Sequence, residues 1–325
     1  MHRFVGAASR LGRRLWPRPG PAILMYHRVA EERFDPWGLA VHPSRFAEQM
    51  EWLANNRAPL SLTEFAHRHK EGRLSTEAVA ITFDDGYACS AEIAAPLLNR
   101  LGIPATIFLP TALIRRGREF WWDDLERIIL GSSQEQLVWR DETIRLGARD
   151  SSDRDWSVDK PPRTERQQAF HFFWSRFRAM RYAECESSLE QLRAQAEIPI
   201  EPRPSHRPMS VAEARSLRLT MFEFGSHGLT HPDLPTLSDA EKVDEISESI
   251  DDCLQLIGRV PRTFAYPYGR RDPRDEQLAA EAGYDCACTA ESGLVSRSAS
   301  NFALPRLAVG NWSAATFRQR LLGGA

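Results

Sequence analysis

Cysteine is scarce and unpatterned in this chain. Five occur in 325 residues: Cys89, Cys185, Cys253, Cys286 and Cys288. An odd, scattered set excludes a disulfide framework. Cys286-Ala287-Cys288 is too tight for a metal knuckle, so all five read as reduced thiols. Long apolar runs are missing as well. No stretch is long enough to span a bilayer, and Met1 to Gly20 lacks the continuous apolar segment of a secretory signal. Neither sign of charge dominates. A net charge of −2 gives no global attraction to nucleic acid or anionic membrane, and no basic cluster interleaves with aromatics. Glycine-rich phosphate loops and a nucleophile elbow are absent. Histidine stops at His231.

Paired carboxylates are present. Asp84 and Asp85 follow the apolar run Ala78-Val79-Ala80-Ile81-Thr82-Phe83 and precede Gly86, which is how a buried strand ends at a sharp turn. Adjacent anions repel unless a cation sits between them or their roles differ. Ser226-His227-Gly228-Leu229-Thr230-His231 follows another short apolar strand. His227 and His231 are four apart, the spacing that puts two side chains on one face of a helical turn. One aspartate with two histidines makes three ligands and leaves a position open for water, the layout of a catalytic zinc site. Cobalt, nickel or manganese fit the same ligands.

Strand-like runs alternate with helix-period segments along the chain. Strands are expected at Ala22–His27, Ala78–Phe83, Ala105–Leu109, Phe222–Phe224, Thr263–Tyr266, Cys286–Thr289 and Ala303–Val309. Helices are expected at Pro43–Asn56, Ala91–Leu101, Ser238–Ile257 and near Glu276–Glu281. Ser238 and Glu241 read as a capping box, and Gly258 as a stop. About seven such β–α units predict a parallel β/α barrel. Residues 111–209 break the rhythm. A helix opening at Trp121, a hairpin turning at Asp141-Glu142 and one helix from Arg166 to Glu197 are expected there, as a mixed hairpin and helical insertion over one side of the barrel mouth. The division expected is a basic arm over 1–20 and a barrel over 21–325. Arg3, Arg10, Arg13, Arg14 and Arg18 make that arm a solvated segment, or else a peripheral contact with an anionic membrane.

In order, Thr82-Phe83-Asp84-Asp85-Gly86, Ser226-His227-Gly228-Leu229-Thr230-His231 and Tyr266-Pro267-Tyr268-Gly269 resemble the motifs of the polysaccharide deacetylase family, the carbohydrate esterases with a NodB homology domain. The resemblance runs from about Ala22 to Val309 around the insertion. It implies a distorted (β/α)7 barrel and removal of acetyl groups from amino-sugar polymers. By position, Asp84 resembles the family's general base, and Asp85, His227 and His231 its metal triad. The backbone N–H of Tyr268 resembles the oxyanion donor.

Two departures stand out. Many members carry an arginine two residues before the motif proline; here the residue is Ala265. Their late Leu-X-His acid is missing, since the late segment is Ala303-Leu304-Pro305-Arg306-Leu307. Met25-Tyr26-His27-Arg28 is similar to the early histidine motif of the branch acting on biofilm poly-N-acetylglucosamine. His27 is therefore expected to protonate the leaving amine, and Arg306 to stand in for the arginine beside Asp84. Tyr26, Tyr87, Trp37 and Trp121 are candidates to stack on sugar rings. His42, His67, His69, His171 and His206 show no partner pattern.

The reading that follows is a deacetylase using one divalent metal, zinc before cobalt, nickel or manganese. Its substrate is an acetylated polysaccharide or a lipid-linked glycan precursor, and its place of action the cytoplasm, near the inner membrane face. Two rivals are a small non-sugar amide as substrate, and a glycan-binding module that kept the fold without turnover.

Overall fold

A computed structural model describes residues 20–217 and 220–322. The basic arm expected over 1–20 lies, except for Gly20, outside the described residues. Seven parallel strands close on themselves: β1 (Ala22–Tyr26), β2 (Ala78–Phe83), β3 (Ala105–Leu109), β4 (Phe222–Ser226), β5 (Thr263–Ala265), β6 (Cys286–Ser292) and β7 (Leu304–Ala308). Neighbours in space are neighbours in sequence, and β1 closes the ring by pairing with both β7 and β2. The ring is uneven. One residue pair, Phe264 with Ser226, joins β4 to β5, and the β6–β7 register slips between Cys288 and Ser292. A short strand, Ala58–Leu60, pairs in parallel with the first half of β2.

The strands read as unbroken apolar runs because both faces are covered. Ala78 through Phe83 are all buried. Ile23, Ala80, Phe108, Ala265, Cys288 and Leu304 fall in one cluster drawn from six strands, which marks the barrel interior. Leu62, Phe65 and Ala66 of the helix Leu62–Lys70 join the same cluster. The alternate residues Leu24, Ile81 and Ile107 pack with the surrounding helices, among them Phe46, Met50 and Leu53 of Pro43–Asn56. On β4 the interior position is Gly225, where a Cβ would lie 2.4 Å from the Phe108 ring. All five cysteines are free and buried.

The helix expected over Ser238–Ile257 is present, with a π turn at Asp244–Glu248. Gly258 ends it in the left-handed conformation. At its start the Ser238 N–H donates to Glu241 Oε2 at 2.9 Å. Residues 111–209 leave the barrel after β3 and return before β4. The hairpin Gln136–Trp139/Glu142–Arg145 turns at Arg140-Asp141, both with positive φ, one residue earlier than expected. The single helix expected over 166–197 is two, Glu165–Phe177 and Tyr182–Gln195. No glycine or proline marks that break. The turn lets both helices pack on Trp121–Ile129, so tertiary contact decides it. Arg166, fully buried, ties the insertion together by donating to the Gln134 and Gly147 carbonyls at 2.7 and 2.9 Å. No helix among the described residues is long and apolar enough to cross a membrane.

Candidate active site

Four carboxyl ends of barrel strands deliver the chemistry to one mouth, where β/α barrels place their sites. His27 follows β1, Asp84 and Asp85 follow β2, His227 follows β4, and Tyr268 lies three residues past β5. All border a cavity of about 240 Å³, together with Trp37, Trp122 and Trp174.

The loop after β2 is shaped by backbone conformation. Asp84 N–H still pairs with the Tyr26 carbonyl at 2.9 Å, and then Asp85 and Gly86 both take positive φ. Gly86 is required: a Cβ there would sit 2.5 Å from Leu109 Cδ2. The left-handed turn brings two successive carboxylates to the same mouth, where an extended strand would send them to opposite faces.

The two histidines do not sit on a helical turn, contrary to the spacing argument. Gly228 and His231 take positive φ in an irregular loop. Glu245 holds that loop by accepting from the Leu229 and Thr230 N–H groups at 2.7 and 3.0 Å. His227 Nδ1 lies 2.6 Å from the Ala265 carbonyl, which can only accept, so Nδ1 carries the proton and Nε2 offers a lone pair. His227 Nε2 is 3.6 Å and His231 Nε2 is 3.5 Å from Asp85 Oδ1. That oxygen is buried and has no hydrogen-bond partner among the described residues. An orphaned carboxylate oxygen facing two imidazole nitrogens is a donor set that a divalent cation satisfies. The residues therefore fit the metal expected from the sequence.

Asp84 is held apart from this set. Arg306 Nη1 donates to its Oδ1 at 2.6 Å and Nη2 to its Oδ2 at 2.7 Å. Arg306 is inward-facing on β7 and wholly buried; its Nε also donates to the Thr289 carbonyl at 2.8 Å. Burial pushes the Asp84 carboxyl up, but Arg306 and then His227 outweigh it and hold the group well below the usual carboxylate range. Asp84 Oδ2 lies 4.0 Å from His227 Nε2. Burial pushes the His27 imidazole down to about 4, against an opposing pull from Asp84. Arg306 touches Asp84 and not the cavity, so it positions that carboxylate.

The aromatic candidates divide. Trp37 borders the cavity. Tyr26, Tyr87 and Trp121 do not: Tyr26 is buried with its hydroxyl donating to Gln49 Oε1 at 2.9 Å, Tyr87 is buried against Asp123, and Trp121 is core, stacked on Trp174. Trp122 and Trp174 take their places. Trp122 packs on the His231 ring at 4.7 Å and Tyr268 packs on it at 4.5 Å. Both tryptophans were missed because helix phase, not residue type, decides which aromatic faces the cavity: Trp122 and not Trp121, Trp174 and not Phe173. His206, which showed no partner pattern, belongs to a second buried cluster with Asp123 and Glu126.

The fold and site thus define a closed seven-strand β/α barrel with an Asp-His-His cluster and a spare carboxylate at its strand ends. The polysaccharide deacetylase family model matches residues 71–131 and 193–287, around the insertion. The chain is similar to the polysaccharide deacetylase family over those two segments. The fold is shared with a Streptococcus pyogenes deacetylase, PplD, solved in complex with acetate (TM-score 0.61, 18% identity, covering 93% of this chain and 97% of that one). It is shared also with IcaB from Ammonifex degensii (TM-score 0.55, 16% identity, 94% and 98% covered). In sequence, the chain is 33% identical over 99 residues to the poly-β-1,6-N-acetyl-D-glucosamine N-deacetylase of Escherichia coli K12, covering 30% of this chain and 15% of that protein. It is 29% identical over 156 residues to the Staphylococcus aureus N315 protein of the same name, covering 44% of this chain and 54% of that one.

Proposed function

We propose that this chain hydrolyses N-acetyl groups on an amino-sugar glycan, with β-1,6-linked N-acetylglucosamine as the first substrate to test. The observation that carries the reading is the pairing of Asp85, His227 and His231 around one orphaned oxygen with a separate, ionised Asp84 within 4.0 Å of the cluster. A divalent ion held by those three residues would supply Lewis acidity for activating water and polarising the acetyl carbonyl.

The chain's own groups do the rest. Asp84, kept ionised by Arg306, accepts a proton from the attacking water. The Tyr268 N–H faces the oxygen on which negative charge develops. The C–N bond breaks, acetate leaves, and the amine takes a proton. His27 rests neutral near pH 7, so the proton it gives the amine is the one Asp84 takes from the attacking water and passes on, which leaves both groups as they began. Trp37, Trp122, Trp174 and Tyr268 present ring faces suited to the apolar side of a pyranose.

Acetate release is the test. Purified chain with added zinc or cobalt is offered β-1,6- and β-1,4-linked N-acetylglucosamine oligomers, a lipid-linked N-acetylglucosamine and small acetamides. Release from an oligomer, abolished in Asp84→Asn, is expected. The cavity of about 240 Å³ supports one rival, a small amide substrate; release from acetamides alone would favour it. Binding of oligomers without release would make the chain a glycan-binding member.

A further inference from the structure

Asp123 and Glu126 stand one turn apart on the helix Trp121–Ile129, and His206 comes from the loop that leads back toward β4. All three are buried, Asp123 completely. One ligand atom from each lies within 4.8 Å of the others, with His206 Nε2 3.9 Å from Glu126 Oε2. Two of the polar atoms here, Asp123 Oδ1 and His206 Nε2, have no hydrogen-bond partner among the described residues.

The outer edges of the same side chains are engaged. Tyr87 donates to Asp123 Oδ2 at 2.7 Å, and Arg203 Nη1 donates to Glu126 Oε1 at 2.9 Å. Ser205 Oγ lies 3.0 Å and Arg28 Nη2 3.4 Å from His206 Nδ1. The nearby cations have their own anions. Arg28 pairs with Glu32, Arg203 with Glu119 as well as Glu126, and Arg127 with Glu119. Among the described residues Asp123 makes no ion pair. A fully buried carboxylate with one unmatched oxygen is destabilising unless something fills the gap.

We propose that Asp123, Glu126 and His206 bind a second divalent cation, distinct from the one at Asp85, His227 and His231. Two carboxylates and an imidazole suit zinc or manganese. Protonated at Nδ1, with that hydrogen given to Ser205 Oγ and Arg28 Nη2 left as a contact only, His206 turns a lone pair inward, the usual arrangement of a ligating histidine. Three acceptors then face one space, and a water has only two hydrogens to offer them. The ion would fasten the helix Trp121–Ile129 to the loop by which the insertion returns toward β4. Tyr87, which donates to Asp123, also accepts from Trp122 Nε1 at 2.9 Å, so this clamp braces the cavity wall against His231.

Metal content and anomalous diffraction on the full chain, dialysed against zinc chloride and separately manganese chloride, test the proposal. The wild type is expected to hold two ions. Asp85→Ala/His231→Ala should keep one, located between Asp123, Glu126 and His206, and should melt at lower temperature once stripped of it. Asp123→Asn/His206→Gln should keep only the ion at Asp85; if that variant fails to fold, the Asp85→Ala/His231→Ala measurement decides alone. No ion in Asp85→Ala/His231→Ala, with a water between the three side chains, overturns the proposal. An ion at this cluster and none at Asp85 in the wild type would uphold it while removing the hydrolase reading.

Discussion

Arg306 and Asp84 show what a single buried pair decides. The two are 222 residues apart, and each is useless in that environment without the other. Removing one partner of a buried ion pair typically costs about 3–5 kcal/mol, because the remaining charge is left uncompensated. Arg306→Ala is therefore expected to lower stability by that order in chemical denaturation and to abolish acetate release. Arg306→Lys keeps the charge and loses the two-pronged grip, so it should restore stability more than turnover. Equal activity in Arg306→Ala and wild type would remove the positioning role. His27 carries the second prediction at this scale. His27→Ala should cut turnover by roughly two to four powers of ten, the usual range for a proton-transfer group, with folding unchanged by circular dichroism. Undiminished turnover would reassign His27 to packing.

Loops are the elements that carry this site, and three of them share a construction. Asp85 with Gly86, His231 with Gly228, and Tyr268 with Gly269 each combine a positive-φ glycine with a positive-φ functional residue. Non-glycine residues held there store strain that the surrounding structure must override. At Gly269 a Cβ would lie 2.2 Å from Ala290 Cβ, whereas Gly258, at a helix end, faces open space. Gly269→Ala should lower the melting temperature sharply and silence acetate release. Gly258→Ala should cost only about 1 kcal/mol. Similar melting temperatures for the two variants would contradict this account. A second element, the loop ahead of the helix Val211–Ser216, sets a pH dependence. Arg207 donates to both Glu213 oxygens, and that bond holds the Glu213 carboxyl down to about 2. The stabilisation is complete above the unfolded carboxyl's range, near 4.5, and is lost as pH falls through about 2. Glu213→Gln should flatten the decline in unfolding free energy over that window. Because Glu213 and Arg207 are both partly exposed to solvent, the effect is small; a decline as steep as the wild type's would show that the pair adds nothing.

At the scale of the whole molecule, barrel closure and insertion do different work. Closure gathers His27, Asp84, Asp85, His227 and Tyr268 at one mouth. The insertion walls the mouth with Trp122 and Trp174, the latter on a helix whose Phe170, Phe173 and Phe177 are core. Trp174→Ala should raise KM for an acetylated oligomer several-fold while kcat changes little, since the ring borders substrate space and not the reacting atoms. A fall in kcat at unchanged KM would show that Trp174 shapes the catalytic groups instead.

The local sequence determined whatever depends on neighbours in the chain. Apolar runs set the strands, Gly86 and Gly258 marked a turn and a helix end, and the chemically apt residues stood immediately after strands. Their meeting could be read because a parallel barrel puts every strand's carboxyl end on one side. Tertiary structure alone decided the rest. Helix phase placed Trp122 and Trp174 at the cavity and Trp121 in the core, while Tyr26 at a strand end and Tyr87 in a loop were buried by packing. Packing on Trp121–Ile129 split one helical pattern in two. The union of His206 with Asp123 and Glu126, about eighty residues away along the chain, left no periodic trace, because contacts between remote segments are chosen by packing and charge compensation in three dimensions.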